Sequence, residues 1–174
     1  LVSMISVQNA QVGLVLAVEA LIGLVYSETR KVRFVPTILV SVASAIPVIL
    51  PLAYGATTWN SLLLFLSVTL VIFGREVAKD LDDISIDHGY KWTIPLAIGD
   101  RKSRILAAEA IVAGLVIGTQ VSSTIIPSAI LSLAGVVLLV CDARPRISRK
   151  WLDAGMAGIL LTLIVFTVGQ GPCL

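Results

Sequence analysis

Charge is scarce in this sequence. Only 14% of its 174 residues are Asp, Glu, Lys or Arg, and there is a single histidine. A soluble domain of ordinary composition carries about 25% charged residues. Aromatic residues are scarce as well, at 6%. The two cysteines, Cys141 and Cys173, are too few for a disulfide framework or a thiolate metal site. They read as a small apolar residue at a helix end and a tail residue. Seven prolines and 13 glycines, all scattered, exclude a low-complexity chain. No basic segment precedes the first apolar stretch, so it does not read as a signal peptide. A start at Leu1, with Met4 the first methionine, reads as a partial sequence.

What is present is apolar: 57% of the residues, with a mean hydropathy of +0.98. One small core cannot hide that much oil-soluble surface, so the expected setting is lipid. A spanning helix needs about 20 mostly apolar residues. Six stretches come near that length, at 8–26, 35–55, 61–78, 104–121, 126–141 and 151–169. They are too long and too uniformly apolar for the alternating strands of a barrel. The expected fold is therefore all-α, a polytopic membrane bundle forming one transmembrane domain over residues 1–174. Pro47 and Pro51 fall inside the second stretch and should kink it.

The cations then orient the bundle. All 13 Lys and Arg lie in the first, third and fifth connections or at their edges, and none lies near 56–60 or 122–126. By the positive-inside rule the three charged connections face the cytoplasm and both termini face out, in a cell membrane. Trp92 and Trp151 would sit at the inner interface and Trp59 at the outer one. The net charge of +2 is thus a topology signal and implies no nucleic-acid partner.

The informative stretch runs from Gly74 to Lys102, GREVAKDLDDISIDHGYKWTIPLAIGDRK. Five of the chain's 11 acidic residues lie between positions 76 and 87. Glu76, Asp80, Asp83 and Asp87 are spaced so that, on a continuing helix, they share a stripe only about 60° wide, with Lys79 beside it and Asp82 turned away. Like charges so placed repel by about 0.2–0.5 kcal/mol for each i,i+4 pair. The C-terminal end of a helix also disfavours anions. A hard divalent cation reverses that balance, since Mg²⁺ binds through one or two carboxylates together with waters and substrate phosphates. Arg75, Lys79, Lys91, Arg101 and Lys102 supply cations for the phosphate oxygens.

REVAKDLDD with Asp87, followed by Thr93-Ile94-Pro95 and Gly99, resembles the second aspartate-rich motif of the UbiA-type intramembrane prenyltransferases. The resemblance is to the archaeal digeranylgeranylglyceryl phosphate synthases, with the pattern R-E-x-x-K-D-x-x-D-x-x-x-D and then T-L-P-x-x-x-G. Arg75, Glu76, Lys79, Asp80, Asp83 and Asp87 all match. Tyr26 and Lys31 stand where the family has Tyr and Lys before its fifth helix, and Lys150 precedes a final span like the family's last. The chain would then correspond to the C-terminal six of nine helices.

This resemblance implies an Mg²⁺-dependent transferase. It would move a prenyl group, geranylgeranyl by this likeness, from a diphosphate to a lipophilic acceptor in archaeal ether-lipid synthesis. It implies Glu76, Asp80, Asp83 and Asp87 as metal ligands. Asp83, Asp87 and Lys79 would be catalytic, and Lys31, Arg75, Lys79, Lys91, Arg101 and Lys102 would bind substrate. Residues 75–103 would form the cytoplasmic motif and a cap.

Three features depart from the family. Its first aspartate-rich motif has no counterpart here, so a second set of ligands would come from a missing N-terminal half or another polypeptide. Its Gly-Asn is Pro36-Thr37 here, and Trp92 alters the spacing before Thr93. An aromatic acceptor in quinone synthesis, or a non-catalytic scaffold or transport role, are the competing readings. Glu19 and Glu109 stand inside predicted spans, and an ionisable residue there is a functional candidate. His88 reads as a solvated loop residue.

Overall fold

The computed structural model describes residues 10–29, 32, 34–49, 58–87, 92–141 and 144–169, with residues 11, 12, 27, 58, 85, 87 and 162–169 described by backbone alone. Among them there are no strands. The helices are α1 (Ala10–Thr29), α2 (Val35–Ala45), α3 (Thr58–Asp82), α4 (Ile84–Asp87), α5 (Ile94–Ile98), α6 (Asp100–Val121), α7 (Ile126–Val140) and α8 (Pro145–Gly169). The expected all-α membrane bundle is what is found. Among the described residues three segments are long and apolar enough to cross a bilayer: Trp59–Asp82, Asp100–Val121 and Ser123–Val140. Two shorter apolar helices, Gly13–Tyr26 and Val35–Ile49, accompany them.

The second stretch behaves as its prolines require. α2 ends at Ala45 and tightens into a 3-10 turn over residues 46–49. Pro47 has no N–H to give and its ring crowds the carbonyl four residues back, so the α-helix cannot run through it. Pro51 lies outside the described residues. At the other end, Phe34 precedes α2 with φ 64°, a left-handed conformation uncommon outside glycine.

The bundle is assembled through small residues. Between apolar helices in lipid there is little hydrophobic drive to associate, so close backbone approach and interhelical hydrogen bonds carry the packing. α3 and α6 meet along Gly74, Gly114 and Gly118. A Cβ on Gly74 would lie 2.5 Å from Ile111 Cγ1 and 2.6 Å from the Ala107 carbonyl oxygen. Ser67 Oγ donates to the Gly114 carbonyl across the same seam at 2.7 Å. α7 and α8 pack in the same way, with Gly155 and Gly158 on α8 against Ser132 and Ser128 on α7, and Gly135 against Leu152. Val77, Ala78, Ala107, Ile111, Leu139 and Leu152 belong to the buried core that joins these four helices.

Large apolar residues point the other way. Leu14, Leu24, Ile130, Val137, Leu160 and Leu161 are exposed, the surface expected of helices that face lipid. Trp59, Trp92 and Trp151 are exposed too.

Candidate active site

The acidic stretch does begin on a helix. α3 carries Arg75, Glu76, Lys79, Asp80 and Asp82 in its last two turns, but it stops at Asp82. Asp83 is a bend, and α4 restarts at Ile84. The break is slight, because the Asp83 N–H still reaches the Lys79 carbonyl at 3.0 Å and the Ile86 N–H reaches Asp83 at 2.9 Å. It nevertheless corrects the expectation of one continuous helix. Glu76 and Asp80 share a rigid face of α3, whereas Asp83 sits at the joint and Asp87 belongs to α4.

The carboxylates differ in setting. Asp80 is 2% exposed and accepts a hydrogen bond from Thr37 Oγ1 on α2 at 3.2 Å. Thr37 belongs to the Pro36-Thr37 pair, the place where this sequence departs from the family's Gly-Asn, and its backbone carbonyl accepts from Ser41 Oγ at 2.7 Å. Glu76 is 9% exposed and is bonded to Arg75 Nη1, with Lys79 Nζ at 3.5 Å. Asp83 is half-buried.

The last helix adds charges that the motif did not contain. Arg75 Nε donates to Asp153 Oδ1 on α8 at 2.9 Å. Arg149, one turn before Asp153, places Nη1 3.5 Å from Asp82 Oδ2 and Nε 3.8 Å from Asp153 Oδ2. Acids and bases of α3 and α8 thus alternate across the helix pair. Arg149 and Asp153 escaped the sequence reading because nothing local marks them. Their only signal is an i,i+4 opposite-charge pair opening an otherwise apolar helix.

Other predicted site residues are placed apart. Arg101 and Lys102 are exposed at the start of α6. Lys102 is about 140° round the helix from Ala107, which faces α3. Arg101 lines a cavity of about 300 Å³ with Asp100, Arg104, Ile105 and Val140. Arg104 is 9% exposed, and it bonds Asp100 at 2.9 Å and the Leu139 carbonyl at 3.1 Å. Glu109 is exposed on α6 and Glu19 half-buried on α1. Lys31, His88 and Lys91 lie outside the described residues, as does the side chain of Asp87.

Among the described residues no group of three or more His, Cys, Asp or Glu is gathered tightly enough to hold a metal ion. The carboxylates at the end of α3 are all-oxygen donors, and cations stand beside them. That set suits Mg²⁺ held by one or two carboxylates and completed by phosphate and water, not a closed protein cage.

Over 66% of its length the chain is 31% identical to the digeranylgeranylglyceryl phosphate synthase of Methanothrix thermoacetophila. The chain is thus similar to a prenyltransferase of the kind that its motif resembles. It spans 45% of that relative, just under half. No protein-family profile and no solved structure matches it. The prenyltransferase resemblance of the motif and this similarity agree, and both are carried by a chain whose acidic face ends α3 beside the base of α8.

Proposed function

We propose that the chain is part of an intramembrane prenyltransferase that transfers a geranylgeranyl group to geranylgeranylglyceryl phosphate in archaeal ether-lipid synthesis. The observation that carries this reading is the pairing of Glu76 with Arg75 and Lys79 at the mouth of an apolar bundle. It sets carboxylates for a metal and cations for phosphate side by side. The relative's name supports both the reaction and the substrate class.

In this reading Glu76 and Asp83, with Asp87 and Asp80, hold Mg²⁺, which would supply charge neutralisation for a departing diphosphate. Lys79 and Arg75 bind diphosphate oxygens by charge-assisted hydrogen bonds. Lys31 and Lys91 are assigned to the same anion or to the acceptor's phosphate. Arg101 and Lys102, on the outer side of α6, bind substrate only if it reaches round that helix. The prenyl tail lies among the helices, where apolar walls keep water from the allylic cation. The C1–O bond to diphosphate breaks, the acceptor hydroxyl bonds to C1, and its proton leaves with the released diphosphate. Residues 75–103 form the cytoplasmic motif and cap, and α5 anchors that cap through buried Ile94 and Pro95. The charged connections face the cytoplasm and both ends of the chain face out. The remaining ligands come from a segment or partner corresponding to the part of the relative that the chain does not span.

The test is calorimetric binding of geranylgeranyl diphosphate to the chain in nanodiscs, with and without Mg²⁺, for the wild type and Asp83→Ala. Binding that needs Mg²⁺ and weakens about tenfold or more in the variant supports the reading. Binding indifferent to both the metal and Asp83, or no binding, sinks it.

A further inference from the structure

Arg75 has two carboxylates to choose from, and their positions differ in kind. Glu76 is its sequence neighbour, about 100° round the same helix. Asp153 comes from α8, 78 residues away, and takes the Nε–H at 2.9 Å. Nη1 goes to Glu76. Among the described residues Nη2 makes no bond. The guanidinium is therefore stretched between two helices, with Nη2, which lies between the two bonded nitrogens, left for another acceptor. Arg149 braces Asp153 from the far side, at 3.8 Å from Oδ2.

We infer that Asp153 is a positioning residue for the anion site at the end of α3. This inference rests on reading that site as a diphosphate site. By holding Nε, Asp153 fixes the plane and direction of the guanidinium, so that Arg75 meets Glu76 through Nη1 alone and does not turn both Nη atoms onto it. Were Arg75 to make that bidentate pair, it would occupy both oxygens of a carboxylate that the metal needs and both nitrogens that a phosphate needs. Asp153 touches neither the metal nor the substrate. It acts by dividing one guanidinium between two acceptors. α8 thereby becomes part of the site, although its sequence carries no motif.

The pair is half-exposed, with Arg75 and Asp153 side chains at 25% and 41%, so its removal leaves the fold almost as stable as before. The experiment is titration of inorganic pyrophosphate with Mg²⁺ into the full chain in nanodiscs. The proteins are the wild type, Asp153→Asn, Asp153→Glu and Arg149→Gln, each with its thermal midpoint. Asp153→Asn weakens pyrophosphate about tenfold, while Asp153→Glu and Arg149→Gln stay within about threefold of the wild type. The midpoints of Asp153→Asn and Arg149→Gln shift by similar small amounts, because each loses one half-exposed α3–α8 ion pair. Wild-type binding with unchanged or tighter binding by Asp153→Asn overturns the positioning role alone. Equal weakening in Arg149→Gln also overturns it, since any break in the α3–α8 pairing would then suffice. No Mg²⁺-dependent binding by the wild type overturns this inference and the transferase reading together.

Discussion

Adding one methyl group to Gly114 tests whether the α3–α6 seam carries the fold. The new Cβ would lie 2.7 Å from the Ser67 carbonyl oxygen and 2.8 Å from Val71 Cγ2, with Leu70 Cβ at 3.1 Å. The carbonyl belongs to helix backbone and cannot rotate aside, so the helices must part by about 0.6 Å or more to restore ordinary contact. Overpacking of this kind costs about 1–3 kcal/mol. Parting the helices also lengthens the bond from Ser67 Oγ to the Gly114 carbonyl, for which membrane proteins show an average of about 0.6 kcal/mol. Alanine returns up to about 1 kcal/mol in helix propensity. The balance is a loss of about 0.5–2.5 kcal/mol. The sign can be checked internally, since a Cβ on Gly23 of α1 would meet nothing within 4 Å. Gly23→Ala should therefore be neutral or slightly stabilising. Reversible unfolding in mixed micelles, followed by circular dichroism, measures both. Gly114→Ala as stable as the wild type would show that the seam is loose and that the packing argument is wrong.

Three further outcomes follow from named contacts. Thr37→Val removes the donor to buried Asp80 and should cost about 1–2 kcal/mol in the same assay; no change would mean that the α2–α3 bond contributes nothing. Arg104→Met strips the Leu139 carbonyl of a buried partner, for a similar loss of about 1–2 kcal/mol; an unchanged midpoint would refute it. Removing Mg²⁺ with a chelator should abolish geranylgeranyl diphosphate binding yet leave the unfolding midpoint in place. Glu76 already has Arg75 and Lys79 for company, and a collapse of the fold without metal would contradict that.

Most of the helices were legible in the apolar runs. The stretches at 61–78, 104–121 and 126–141 lie on α3, α6 and α7, because twenty apolar residues in lipid have few other ways to satisfy their backbone. Ends were less legible. α3 runs to Asp82 and α8 starts at Pro145, since charged residues continue a helix beyond the hydrocarbon and hydropathy cannot see them. The acids of the site were legible by spacing, and the break at Asp83 was not. No glycine or proline marks it, and periodicity over 76–87 is the same for a straight helix and an interrupted one. Asp153 was invisible for another reason. Its role comes from α8 lying beside α3, and a single sequence holds no record of that neighbour.

The bend at Asp83 gives the motif two speeds of change. Everything up to Asp82 is bolted to α6 and α2 through Gly74 and Asp80, so a residue gained or lost there would turn the buried face outward. Beyond the bend that constraint is weaker, because α5 fixes its own place through Ile94 and Pro95. The extra Trp92 before Thr93, which sets this sequence apart from the spacing of the family it resembles, falls beyond the bend and just ahead of α5.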